Sequence, residues 1–182
     1  MLAQSPDFCS TNSSVKTMNY KAAALLLLGL SLASCSKNGQ PAPPDRPRLT
    51  PAVKMVDVTF HSAALNRDMP YRAILPAIIA ANQKFPVLYL LHGGGGGFHD
   101  WSNYSDLAGY AERDLIFIMP EANDSYYTNS AGHPQDRYED YIVHDLIADV
   151  EQRFPAAAGR THRAIAGVSM GGFGGCACTE AS

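Results

Sequence analysis

The 182-residue sequence has no excess of positive charge: 14 lysines and arginines stand against 17 aspartates and glutamates, a formal net charge of −3. The electrostatic footprint of a nucleic-acid-binding protein is therefore missing, and no nucleic-acid partner is expected. Cysteine is scarce. The four cysteines, at 9, 35, 176 and 178, form neither the framework of a small disulfide-built domain nor paired C-x-x-C zinc spacing. Charged residues make up 17% of the chain and never gather into a block of one sign, while hydrophobic residues reach 46%. That balance excludes disorder by composition and leaves enough apolar surface for a core. No apolar run is long enough to cross a bilayer: residues 22–33 supply twelve where about 20 are needed.

That short run has a different use. Met18, Asn19, Tyr20 and Lys21 form a basic n-region and residues 22–33 an h-region, which together read as a signal peptide. The run ends in Leu32, Ala33, Ser34 and Cys35, which resembles the lipobox of bacterial lipoproteins. The resemblance implies lipidation of Cys35 as the first mature residue and a bacterial cell-envelope location. Ser36 in place of aspartate resembles the outer-membrane sorting signal. Residues 1–17 are polar, precede a second methionine and read as an over-called start. Residues 36–52, with prolines at 41, 43, 44, 47 and 51, form a semi-rigid tether. The organisation expected is 1–34 signal peptide, 35–52 lipidated cysteine and tether, and 53–182 the domain.

Within the domain, Val56, Val58 and Phe60 alternate with polar neighbours, as do Met69, Tyr71, Ala73 and Leu75. Two half-buried strands joined near Asn66, Arg67 and Asp68 follow. Three continuous apolar runs, 86–91, 115–119 and 164–168, suit strands covered on both faces. Helices are expected at about 102–112 and 136–154, the second carrying Tyr138, Tyr141, Ile142, Leu146, Val150 and Phe154 on one stripe. Alternating strands and helices imply an α/β fold with a largely parallel sheet and right-handed crossovers.

Two glycine-rich turns follow buried strands at the edge where such sheets place ligands. Gly167, Val168, Ser169, Met170 and Gly171 fit G-x-S-x-G, in which glycines let the chain turn sharply and project the serine hydroxyl. Ser169 is the candidate nucleophile, and the Met170 N–H, at a helix N-terminus, would face an oxyanion. Residues 93–97 are five consecutive glycines, which let a ligand oxygen approach backbone N–H groups and could supply a second donor. No G-K-[ST] follows, so the loop is not a phosphate cradle of the P-loop kind. His92, His99 and Asp100 match no common metal spacing, and His92 reads as a brace for the loop. No metal and no cofactor are expected.

The succession PVLYLLHGGGGGFHDW, LIFIMPEANDSYYTNS, RYEDYIVHDLIADVEQRFP and AIAGVSMGGFGG resembles the esterase family of α/β-hydrolases. That group contains tributyrin esterases, S-formylglutathione hydrolases, feruloyl and acetyl-xylan esterases and mycolyltransferases. The resemblance, from about Val53 to Gly175, implies an α/β-hydrolase fold and a serine carboxylic-ester hydrolase acting on short acyl, acetyl or feruloyl esters, small or polysaccharide-linked. It implies Ser169 as nucleophile, Met170 and Gly94 as oxyanion donors, and Ser125, Tyr126 and Tyr127 beside the site. Glu139 and Asp145 match acidic positions in the crossover helix, for which a structural role is favoured.

The triad of such enzymes runs Ser, then Asp or Glu, then His. After Ser169 the chain holds no aspartate and no histidine; its six histidines, at 61, 92, 99, 133, 144 and 162, all precede it. The expectation is a domain truncated or frame-shifted after the elbow and inactive by itself, with a non-catalytic ester- or glycan-binding lipoprotein as the alternative. Metabolic labelling checks the anchor. The parent chain should take up radioactive palmitate and sediment with membranes, because acyl chains contribute about 0.8 kcal/mol per buried methylene, whereas Cys35→Ala should take up none.

Overall fold

The computed structural model describes residues 44–181; Cys35 and the predicted signal peptide lie outside the described residues. Strand β1 (Val53–Ser62) and strand β2 (Arg67–Pro76) form a ten-residue antiparallel hairpin. Asn66, at φ +49°, closes the turn in the left-handed region that asparagine tolerates. Then come β3 (Val87–Leu91), short helices α1 (Asp100–Tyr104) and α2 (Ala108–Ala111), and β4 (Ile116–Pro120). The crossover helix comprises α3 (Tyr138–Asp140), a wider π-helical stretch (Tyr141–Leu146) and α4 (Ile147–Arg153). It leads to β5 (Arg163–Gly167) and α5 (Met170–Ala181). The sheet order is β1-β2-β4-β3-β5, with β4, β3 and β5 parallel and the hairpin antiparallel to them through β2.

Alternation along the inner strands divides the core into two layers. Tyr89, Leu91, Ile116 and Ile118 face the crossover helix, where all six residues of the expected stripe are buried. Leu90, Phe117 and Met119 face the opposite way, onto Leu107, Ala108 and Ala111 at α2. Each such aliphatic or aromatic side chain contributes about 1.5–3 kcal/mol by leaving water.

Three expectations need correction. Strand β2 is buried on both faces rather than half-buried, because it lies inside the sheet between β1 and β4. In the apolar run at 164–168, Ala164, Ala166 and Val168 are exposed rather than covered: among the described residues β5 pairs only with β3, and the α1–α2 layer places none of its buried residues over it. The single helix expected at 102–112 is two. Ser105 turns its backbone to an extended conformation, and its hydroxyl donates to the Trp101 carbonyl at 2.5 Å, which ends α1.

On the face of β2 shared with Ile74 lies Arg72, fully buried, and its charge organises one side of the fold. Its guanidinium donates twice to Asp57 (2.7 and 2.8 Å), twice to Asp45 (2.9 and 2.7 Å) and once to Ser102 Oγ (2.9 Å). All five donors are thereby used, as a buried guanidinium requires. Asp45 falls in the stretch read as tether, so the domain reaches further toward the N-terminus than Val53. The Arg46 N–H donates to Asn103 Oδ1, the Arg48 N–H to the Ser102 carbonyl, and Arg48 pairs with Asp106 at 3.1 Å.

The hydrogen bonds from Arg72 outweigh burial and hold the Asp45 carboxyl at about 2, below the ordinary 3.8. Between these values the unfolded chain binds the extra proton, so Asp45's contribution is present above pH 4 and lost as pH falls toward 2. Thermal melting from pH 5 to 2 should show a steeper loss in the parent than in Asp45→Asn. Arg72→Met should cost about 3 kcal/mol at neutral pH, since it leaves two facing carboxylates unpaired.

Candidate active site

At the end of β5 the chain reverses into α5 within two residues, Val168 and Ser169. Ser169 carries φ +54°, a left-handed conformation costly for a side chain that is neither glycine nor asparagine. The turn is closed by Gly171 N–H to the Val168 carbonyl at 2.8 Å and Phe173 N–H to the Ser169 carbonyl at 3.1 Å. The glycines around it are sterically required. A Cβ on Gly171 would lie 2.4 Å from the Leu91 carbonyl oxygen, and one on Gly167 would lie 2.4 Å from the Gly171 backbone. Ser169 is exposed, and Met170 opens the twelve-residue α5, whose N-terminal N–H groups carry partial positive charge at the serine.

The glycine loop meets this elbow at its first residue: a Cβ on Gly93 would lie 3.8 Å from Ser169 Cβ. Further along, the loop's N–H groups are taken. Gly95 donates to Asp124 Oδ1 (2.6 Å), Gly96 to the Gly93 carbonyl (3.1 Å), Gly97 to Asp100 Oδ2 (3.2 Å) and Phe98 to Glu121 Oε2 (3.3 Å). Gly94, exposed next to Gly93, is not among these donors. Three carboxylates thus pin the far part of the loop. Spacing did not reveal Glu121 and Asp124 as its supports; the only cue was their place directly after β4.

His92 is the brace expected of it. Its Nδ1 lies 2.8 Å from the Gly93 carbonyl, Nε2 accepts from Ala122 N–H at 3.1 Å, and the buried Tyr127 hydroxyl donates to its carbonyl at 3.1 Å. Burial opposes charge on the ring, but Glu121, 3.5 Å away, and the Gly93 carbonyl outweigh it, so the His92 pKa stands above the ordinary histidine value. Burial pushes the Glu121 carboxyl up; His92 and the N–H groups of Asn123 and Phe98 prevail and hold it below the usual range. Both ring nitrogens serve the loop's footing, so His92 is not placed to take a proton from Ser169.

Ser125 and Tyr126 lie beside the serine, whereas Tyr127 is buried next to them, off the cleft. Tyr126 and Tyr127 both have positive φ (+58° and +59°), and Tyr127 packs where a Cβ on Gly174 would come within 2.5 Å. Tyr126 stands edge-to-face with Phe173 at 6.0 Å, and the two line an open cleft of about 660 Å³ together with Ser125, Thr128, Ser169 and Met170. No histidine is in that lining. His133 lines a neighbouring cleft that shares Ser125, Thr128 and Ser130. Asp145 plays the structural part expected, accepting from Ser62 Oγ at 2.6 Å and Ala64 N–H at 2.9 Å to tie the hairpin to the crossover helix. Among the described residues, Asp45, Asp57 and His99 come close enough together to hold a metal, but Arg72 already takes both carboxylates there.

A mixed sheet in this order, with a strained serine between the end of its last parallel strand and a following helix, defines an α/β-hydrolase. The chain matches the family described as "Putative esterase" over residues 62–179, and it belongs to that family. An acetyl esterase of Caldicellulosiruptor saccharolyticus is 25% identical over 130 residues, 66% of this chain and 48% of that one. Among solved structures, a ferulic acid esterase is 29% identical with a TM-score of 0.61, covering 68% of this chain and 53% of the other. The S-formylglutathione hydrolase of Staphylococcus aureus is 29% identical with a TM-score of 0.59, covering 67% and 50%. The chain thus spans about half the length of these relatives.

The strain at the elbow is measurable. Ser169→Gly should raise stability by about 1 kcal/mol, since glycine adopts positive φ freely, and Ser169→Ala should not. Gly171→Ala should lower it by about 3 kcal/mol or more, because the new methyl would meet main chain that cannot move aside. Urea unfolding of the three variants distinguishes relief of strain from loss of a side chain.

Proposed function

We propose that the protein is a serine carboxylic-ester hydrolase of the bacterial cell envelope, held there by lipid on Cys35, that cleaves short acyl, acetyl or feruloyl esters through an acyl-enzyme. The observation that carries the hydrolase reading is Ser169, exposed and strained at the N-terminus of α5 with the glycine loop against it; the envelope location rests on the lipobox-like residues 32–35 alone. Ser169 Oγ attacks the ester carbonyl and gives its proton to a base; the C–O bond to the alcohol breaks, the alcohol leaves with a proton, and water then hydrolyses the acyl-serine. The N–H groups of Met170 and Gly94 hold the oxyanion in this reading, and preorganised donors of this kind contribute about 3 kcal/mol each to the transition state. Acetyl and ferulic acid esterases among the relatives support the range of acyl groups.

The base is not among the residues lining the cleft at Ser169. The 182 residues alone are accordingly a poor catalyst, keeping at most about a thousand-fold over water from the oxyanion donors and binding. The same observation favours the second reading, an anchored protein that binds an ester or glycan without turning it over. The test uses the longest form of the protein that its gene encodes. Hydrolysis of p-nitrophenyl butyrate and capture by a fluorophosphonate should both vanish in Ser169→Ala, with the circular dichroism spectrum unchanged. Turnover at the parental rate in that variant would remove Ser169 as nucleophile, and a parent that binds esters without hydrolysing them would establish the second reading.

A further inference from the structure

The turn that brings Tyr126 to the cleft is built from residues that do not suit its shape. Ser125 and Thr128 close it, with the Thr128 N–H reaching the Ser125 carbonyl at 3.5 Å, and both central residues, Tyr126 and Tyr127, have positive φ. Turns of that kind are dominated by glycine, asparagine and aspartate, because a larger side chain at positive φ costs about 1 kcal/mol or more. Tyr127 accounts for its own position. It is buried, its hydroxyl donates to the His92 carbonyl at 3.1 Å, and it packs against Gly174. Tyr126 is 57% exposed, so burial does not offset its strain. Strain kept at an exposed side chain beside a reactive group points to a function for that side chain.

The Tyr126 ring meets Phe173 edge to face at 6.0 Å, and both rings stay more than half exposed. Phe173 stands four residues beyond Ser169, one helical turn and about 6 Å along the axis, and both open onto the same cleft. That cleft, of about 660 Å³, is larger than an acetyl group needs, and no charged side chain is in its lining. A neutral planar group suits these walls. It can offer a face to one ring and an edge to the other, whereas an alkyl chain gains only its burial. Ser169 is in the same lining, so a group joined to the ester carbonyl at its hydroxyl enters the cleft directly.

We propose that Tyr126 and Phe173 form the acyl subsite of Ser169 and select an aromatic acyl group over acetyl and short alkyl ones. This rests on the hydrolase reading above and narrows it. The acyl group is assigned to the subsite, rather than the alcohol, because it stays bonded to Ser169 Oγ in the acyl-enzyme, where the walls beside the serine must hold it until water attacks. An aryl ring joined to the carbonyl through two carbons has its centre about 5 Å from that carbonyl, close to the one helical turn that separates Ser169 from Phe173.

The test compares methyl cinnamate with methyl butyrate, which differ only in the acyl group, on the longest form of the protein that its gene encodes. Binding is read by calorimetry on Ser169→Ala, where no turnover intervenes, and hydrolysis by kcat/KM with the serine in place. Methyl cinnamate should be preferred in both. Tyr126→Leu and Phe173→Leu, which keep apolar bulk and remove a ring, should each cut the preference roughly five-fold in either background. Equal binding of the two esters, or a preference that survives both leucine variants, overturns the subsite. Preference for phenyl acetate over methyl acetate, with none between the two methyl esters, puts the aromatic group on the alcohol and overturns it as well. Leucine-sensitive preference for methyl cinnamate in a protein that hydrolyses neither ester supports the subsite and removes the hydrolase reading alone.

Discussion

The functional end of this molecule depends on a contact between backbones. Gly171 lies so close to the Leu91 and His92 carbonyls, and Gly167 so close to Gly171, that a single methyl at either position would collide with main chain. This closeness lets the end of β3, the end of β5 and the start of α5 converge, with Ser169 in the left-handed conformation between them. The cost of that conformation is of order 1 kcal/mol and is met by the hydrogen bonds around the turn and by the burial of Met170. A strained, exposed hydroxyl at a helix N-terminus is the arrangement a nucleophile needs, and the surrounding sheet is rigid enough to keep it.

The glycine loop poses a different problem. Five glycines lose much conformational entropy on ordering, and their N–H groups need acceptors. Asp124, Asp100 and Glu121 supply them to the far part of the loop, while His92 and Tyr127 fasten its root. The carboxylates hold the N–H groups of Gly95, Gly97 and Phe98, so the loop is stiffened beyond Gly94. Each of these carboxylates is matched by N–H dipoles or by His92.

On the face of β2 shared with Ile74 the organising element is the Arg72 guanidinium. Burial of so strong a charge is acceptable only when every donor is matched, and matching it required Asp57 on β1, Ser102 on α1 and Asp45 from the segment before the hairpin. One side chain therefore joins three parts of the chain that hydrophobic packing alone would leave free to slide. The price is sensitivity to acid, since Asp45 must stay ionised for the arrangement to hold.

Local pattern was enough for much of this. The apolar runs at 86–91 and 115–119, the helical stripe from Tyr138 to Phe154 and the G-x-S-x-G turn are set by side-chain periodicity and by where glycine permits a reversal, and each lies where those rules put it. The α/β-hydrolase order was legible from the succession of motifs. What sequence could not supply were relations between distant residues. Arg72 reads as a polar interruption in an alternating strand until Asp45, 27 residues earlier, and Ser102, 30 later, are brought to it. Glu121 and Asp124 look like ordinary loop acids until β4 delivers them beneath the glycines. Periodicity records which way a side chain points, whereas its partner is chosen by topology, and only the folded sheet decides that.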